Sequence, residues 1–219
     1  MKVKSLLIAS LVLAALLAAF GFWAAGQLPP GTELPTHWNA AGEADDWMPA
    51  LHALMVAPGM MLFVGLLFAA IPRLEPLQDK LEASAPVLRA AWIGMMALAV
   101  FLQAFIAAPV FGVKAEGHWV MAAVGILFIL LGNAMPKSRP GFFVGIRTPW
   151  TITNTDNWIA THRLGGKTFM AGGAIMVAIG LLDLAPEVRM VGTLSAIVLA
   201  GLVPVVYSWW FWHSGKAAT

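Results

Sequence analysis

Between residues 145 and 167 the chain reads GIRTPWTITNTDNWIATHRLGGK, a stretch dense in groups able to do chemistry. Arg147, Arg163 and Lys167 are donors suited to phosphate or carboxylate. His162 carries the side chain that titrates near neutrality. Thr148 and Thr161 add hydroxyls, while Trp150 and Trp158 add aromatic faces, each with one N–H donor. Pro149 biases Thr148 toward an extended backbone, and Thr153, Thr155 and Asp156 are suited to cap a helix that starts near Asn157. On that helix Trp158, Thr161 and His162 fall at i, i+3 and i+4, and Arg163 and Lys167 stand four apart. One face then carries an aromatic ring with an imidazole, and another directs two cations at lipid headgroups. With Arg147 arriving from the extended part, these groups could frame a pocket for a phosphate or carboxylate. Charge alone supports a plainer role, a positive anchor with an interfacial tryptophan.

A second polar stretch occupies residues 27–49. Glu33, Glu43, Asp45 and Asp46 supply four carboxylates and His37 an imidazole, with no Lys or Arg among them. Such a surface could hold a cation or a basic peptide. Metal-ligand spacing is poor, because Glu33 and His37 would share a helical face only if Pro35 did not stand between them. No metal site is expected. Ala41 and Gly42 suit a turn, and Trp38 and Trp47 suit anchors on either side of Asn39 and that turn.

These two stretches sit in a chain that otherwise avoids charge. Of 219 residues, 60% are hydrophobic and 11% charged, against about 25% charged in soluble domains. This is the composition of an integral membrane protein. A net charge of +2, without a Lys/Arg tract, gives no basis for nucleic-acid binding. Cysteine is absent, which removes disulfides, thiol nucleophiles and thiolate metal sites. No cofactor is expected.

Six apolar runs are long enough to cross a hydrocarbon core of about 30 Å as helices. They cover approximately 5–26, 50–71, 88–113, 119–135, 167–185 and 190–212. The expected fold is therefore all-α, a single polytopic membrane domain over 1–219 with six transmembrane helices. In this arrangement Lys2, Lys4, Arg73, Lys80, Arg89, Lys137, Arg139, Arg147, Arg163, Lys167 and Lys216 fall on one side, and only Lys114 and Arg189 on the other. The positive-inside rule then places both termini and the 136–166 segment in the cytoplasm, and the acidic 27–49 loop outside. Trp23, Trp47, Trp119, Trp158, Trp209, Trp210 and Trp212 fall at span ends, as an aromatic belt requires. The first run also has a basic start and small residues near 24–26, but it is longer than a signal-peptide core, so it is read as a retained span.

Residues 72–86 read as an inner connector with a solvated charged face and a short amphipathic helix over 77–83. Pro58, Pro109 and Pro204 fall inside predicted spans, where they should kink or loosen the helix. No Asp, Glu, Lys or Arg falls at mid-depth, which disfavours a proton-coupled carrier or pump. Gln103 and Asn133 are read as interhelical hydrogen-bonding groups, and the small residues 171–174 as a close-packing surface, within one chain or between two copies.

The outer PTHWNAAGEADDW and the inner GNAMPKSRPGFFVGIRTPWTITNTDNWIATHRLGGKTFMAGG, over 132–173, together resemble the SdpI family of bacterial membrane proteins. The family is named for an immunity protein against a secreted peptide toxin. The resemblance implies a multi-pass protein of the bacterial cytoplasmic (inner) membrane that protects against an extracellular antimicrobial peptide. In the founding system, it also implies signal transduction by drawing a soluble transcriptional repressor to the membrane. The patterned positions carried over are Gly145, Arg147, Thr148, Pro149, Trp150, Trp158, Thr161, His162, Arg163 and Gly165 inside, and Pro35, His37, Trp38, Asn39 and Gly42 outside.

Two classes of function follow. The first is a non-enzymatic immunity or sensor protein whose partners are membrane lipids, a secreted peptide toxin and a cytoplasmic repressor. The second is a membrane enzyme or lipid-binding protein in which Arg147, His162, Arg163 and Lys167 hold a headgroup phosphate and His162 acts as general acid or base. Against the second, Asp156, Thr148 and Thr161 are the available inner-side partners, and none is paired with His162 by spacing as a nucleophile.

Overall fold

The computed structural model describes residues 3–76 and 78–215, leaving aside the side chains of 78–80. Lys2, Leu77 and Lys216, used above, lie outside the described residues, as does the side chain of Lys80. The chain begins with α1 (Lys4–Ala25), turns through a hairpin of β1 (Glu33–Trp38) and β2 (Ala44–Pro49), and enters α2 (Ala50–Leu74). α3 (Gln78–Ile106), a 3-10 turn (Ala108–Phe111) and α4 (His118–Ala134) follow. After a second 3-10 turn (Met135–Lys137) come the short α5 (Pro149–Thr153) and the long α6 (Thr155–Leu181). α7 (Pro186–Ile197) runs through a π turn (Val198–Leu202) into α8 (Val203–His213). Six of these helical units are long and apolar enough to span a bilayer, α7 to α8 counting as one. The protein is an all-α polytopic membrane protein whose small sheet is confined to one loop.

Helix limits follow from local chemistry. α2 stops at Leu74 because Glu75 precedes Pro76, and a residue before proline is pushed out of the helical region; Glu75 is extended, with ψ 116°. Thr148 caps α5 in a capping box with Thr151, and Pro149 takes the first helical position, where a missing N–H costs nothing. Asn154 caps α6 by accepting from the Asn157 N–H at 2.8 Å. The expected caps, Thr153, Thr155 and Asp156, are thus displaced by the neighbouring asparagine. Pro204 lacks an N–H for the carbonyl four residues back, and the wide π turn at 198–202 absorbs that break.

Several expectations change. α3 already begins at Gln78, so the connector shrinks to a few residues and no separate 77–83 helix forms. Pro109 stands in the 3-10 turn beyond α3 rather than inside a span. Gln103 is buried but its side chain makes no hydrogen bond, and Asn133 is exposed, so neither ties two helices together.

Packing is tightest between α4 and α6, where glycines recur every seven residues: Gly125 and Gly132 on one helix, Gly166, Gly173 and Gly180 on the other. A Cβ on Gly166 would lie 2.7 Å from the Gly132 carbonyl oxygen, and one on Gly125 2.6 Å from that of Gly173. Backbone meets backbone along this seam, the small-residue solution for helices that gain nothing from burying apolar surface in lipid. Since Gly166 faces Gly132 near the end of α4, residues 155–165 of α6 project beyond it by about 16 Å at ~1.5 Å per residue. On the other side, Ser10, Ala14, Gly21 and Ala24 form the buried stripe of α1, and the Trp92 indole N–H donates to Ser10 Oγ at 2.7 Å to tie α3 to α1.

Strict alternation of the helices puts the hairpin at one end of the bundle and the 138–154 segment at the other. Gly42 rests on the start of α4 at His118, while Ser84 at the start of α3 meets Arg139.

Candidate functional site

At the end opposite the hairpin, the 138–154 segment winds between α2, α3, the projecting turns of α6 and α8. Its coil exposes backbone polar groups that need partners, and buried side chains supply them. Trp158 and His162 stack one helical turn apart, with centroids 4.2 Å apart and planes tilted 17°, both almost fully buried. The i, i+4 relation expected from sequence is present, but its face points into the protein. The Trp158 indole N–H donates to Ser138 Oγ at 2.9 Å, so this tryptophan is a core residue rather than part of an interfacial belt. Trp23, Trp47, Trp119, Trp209, Trp210 and Trp212 are exposed as a belt requires.

His162 is held at both nitrogens. The Ile146 N–H donates to Nε2 at 2.8 Å, and Nδ1 lies 2.7 Å from the Trp158 carbonyl oxygen. An acceptor at Nε2 and a donor at Nδ1 fix the neutral Nδ1–H tautomer, because a proton on Nε2 would oppose the Ile146 N–H. Neither nitrogen is left for proton transfer. Gly145 makes this approach possible: its φ is +123°, and a Cβ there would collide with His162 Nε2 and stand 2.7 Å from Trp158 Cζ2.

A hydroxyl and amide chain completes the node. The Thr148 N–H donates to Thr151 Oγ1 at 2.9 Å, and Thr151 Oγ1 donates to the Ile146 carbonyl at 3.0 Å. Thr161 Oγ1 donates to Asn157 Oδ1 at 2.9 Å, and Asn157 Nδ2 donates to the Ser208 carbonyl at 2.9 Å, linking α6 to α8. The Trp150 indole N–H donates to Ser208 Oγ at 2.7 Å. Glu75, only 2% exposed, accepts from the Phe142 and Phe143 N–H groups at 2.9 and 3.1 Å. The connector is therefore not simply a solvated face: Glu75 and Ser84 are buried and pin the coil from the α2–α3 side.

The predicted phosphate pocket does not assemble. Arg147, Arg163 and Lys167 are all exposed while His162 and Thr161 are buried. The Arg147 guanidinium donates to the Phe142 carbonyl at 2.7 Å, and among the described residues Arg163 and Lys167 make no side-chain hydrogen bond or ion pair. Of the sequence-selected residues, the node gathers Thr148, Trp150, Trp158, Thr161 and His162 and leaves the three cations on its surface. Glu75, Ser138, Thr151 and Ser208 are members that sequence selection missed. The only sequence signal was their hydrogen-bonding type, since Glu75 and Ser208 lie some fifty or more positions from their partners in the node.

The acidic loop folds as an antiparallel hairpin with irregular register. Asn39 Oδ1 accepts from the Ala41 and Glu43 N–H groups at 2.9 and 3.1 Å, and Gly42 takes φ +82° in the turn. His37 pairs with Asp45 at 2.6 Å in solvent. Glu33, Glu43 and Asp46 are exposed, and Trp38 lies half-buried against Phe105 with centroids 5.3 Å apart. Among the described residues no group of three or more potential ligands could hold a metal ion.

Two protein families match this chain. The SdpI/YfhL protein family matches residues 137–208, and a domain of unknown function, DUF1648, matches residues 12–62. A curated relative, immunity protein SdpI of Bacillus subtilis (strain 168), is 28% identical over 86 residues, covering 38% of this chain and 42% of the relative. The matched segment thus spans less than half the relative's length. No solved structure matches.

Proposed function

These matches support assigning the chain to the SdpI family, and from that premise we propose that it is a non-enzymatic immunity protein of the bacterial inner membrane. It protects the cell against an extracellular antimicrobial peptide. The observation that carries this reading is where the SdpI/YfhL match falls: it begins at Lys137 and ends at Ser208, and these limits take in the node from the Ser138 hydroxyl to the Ser208 carbonyl, leaving only Glu75 outside.

In this reading the node is architecture. Its histidine is spent on holding the Ile146 backbone, which fits a structural use of the motif better than a catalytic one. The exposed Arg147, Arg163 and Lys167 are the groups that a cytoplasmic repressor would meet. The hairpin carboxylates face outward and raise the local concentration of a cationic peptide. Expression in a peptide-sensitive bacterium tests the proposal. Survival against membrane-active cationic peptides should rise with the intact chain and fall back with Gly145→Ala. Unchanged survival across several such peptides would overturn it.

A further inference from the structure

At the hairpin end, Arg189 of α7 reaches across to the first residue of α4. Its Nη1 lies 2.7 Å from His118 Nδ1, the one hydrogen bond of its side chain among the described residues. Its Nε is sealed from solvent and has no partner, so the guanidinium is drawn into the joint rather than left in water. A guanidinium only donates and keeps its charge at every working pH. The contact therefore requires a lone pair on His118 Nδ1, which fixes the neutral imidazole with its proton on Nε2.

Several elements rest on this joint. A Cβ on Gly42 would stand 3.1 Å from the His118 backbone nitrogen, one on Gly117 would collide with the Gly42 carbonyl oxygen, and one on Gly180 would stand 2.8 Å from the His118 carbonyl oxygen. The hairpin turn, the end of α6 and, through Arg189, α7 thus all meet the start of α4. Beside the joint a cleft of about 360 Å³ lies between the hairpin turn and α7, with Asn39, Ala40 and Glu43 on one wall and Pro186, Glu187 and Met190 on the other.

Histidine is the side chain that gains charge between about pH 8 and pH 5. A proton on Nδ1 would turn the acceptor into a second donor and set one cation against another. The other charged groups nearby come from each neighbouring element: Glu43 on the hairpin and Glu187 on α7, both lining the cleft, Lys114 and Glu116 ahead of α4, 3.8 Å apart, and Asp183 just past α6. Their carboxylates offer the separated cations new partners, which favours parting over a strained contact. His37, the other imidazole of this region, is engaged with Asp45 within the hairpin.

We infer that His118 and Arg189 form an acid-sensitive latch: the neutral imidazole fastens α7 to the start of α4, and protonation releases Arg189, loosens the joint under the hairpin turn and widens the cleft between the hairpin and α7. The latch goes beyond the immunity reading and does not depend on it.

The chain has no cysteine of its own, so Ala40→Cys and Met190→Cys place spin labels on the two walls of the cleft. Electron paramagnetic resonance on the full chain in phosphatidylcholine nanodiscs reads their separation. On going from about pH 8 to about pH 5 the separation should lengthen by several ångström and return on neutralisation. His118→Asn puts an amide oxygen where Nδ1 stands, accepts from Arg189 at every pH, and should hold the shorter separation throughout. His118→Lys, a permanent cation, should show the longer separation already at about pH 8. His37→Gln should leave the acid response intact. A separation that does not respond to acid, an equal response in His118→Asn, or a response abolished by His37→Gln would overturn the inference.

Discussion

Adding one methyl group at Gly145 tests the geometry of the node directly. The residue has φ +123°, which an L side chain resists at a cost of about 1–3 kcal/mol. The new Cβ would also collide with His162 Nε2 and press Trp158 at 2.7 and 3.0 Å, and overpacking of this kind costs a further ~1–3 kcal/mol. Gly145→Ala alone should therefore destabilise the protein by about 4 kcal/mol. His162→Ala should cost about 3 kcal/mol, from the stranded Ile146 N–H and the lost stacking on Trp158. The two effects share one atomic contact and should not add. With His162 truncated, the methyl introduced at position 145 gains room on one side, so the double variant should be about 1–2 kcal/mol more stable than the sum of the singles. Reversible unfolding in mixed micelles under increasing dodecyl sulfate, read by tryptophan emission, measures all four corners of the cycle. Strict additivity would refute the claim that Gly145 is required by its approach to the histidine, leaving only its backbone angle as the constraint.

Three further outcomes are expected. Gly166→Ala should destabilise the protein by about 1–3 kcal/mol, because its Cβ meets the rigid Gly132 carbonyl at 2.7 Å, whereas Gly59→Ala, with open space around it in α2, should stabilise it by about 0.5–1 kcal/mol; the same unfolding assay separates them. Glu75→Leu removes the acceptor of two part-buried N–H groups, worth about 0.5–1.5 kcal/mol each, so hydrogen exchange at the Phe142 and Phe143 amides should accelerate at least ~2-fold while α4 and the later turns of α6 stay protected. Asp45→Asn removes the carboxylate that bonds the exposed His37 ring and should leave the unfolding midpoint unchanged, though it should weaken capture of a cationic peptide at low ionic strength.

The spans were legible because a bilayer imposes one length on every crossing, and their positions follow from hydropathy alone. The 3.6-residue period also placed Trp158, Thr161 and His162 on one face correctly. Its inward direction was hidden, because belt tryptophans and core tryptophans look alike until Ser138 is seen beneath the indole. The phosphate pocket was inferred from Arg147, His162, Arg163 and Lys167 in one short stretch, and it failed because helix phase sends Arg163 and Lys167 outward as it sends His162 in. Glu75 and Ser208 were invisible for a different reason: their partners are set by tertiary contacts, and no local spacing encodes them. Gln103 was expected to bridge helices, yet its amide is buried beside Gly21 of α1 without a hydrogen-bond partner, a conflict between local preference and global fold.

The glycine seam between α4 and α6 has a mechanical consequence. Where glycine meets glycine the two backbones touch directly, with Ile129, Met170 and Met176 packed between those points, and slippage would have to occur in steps of about 10 Å, one heptad at ~1.5 Å per residue. The pair behaves as a single stiff rod. One end lies under the hairpin, where Gly42 touches His118, and the other carries the Trp158–His162 stack. A load that tilts the pair at the first end would therefore be felt at the second.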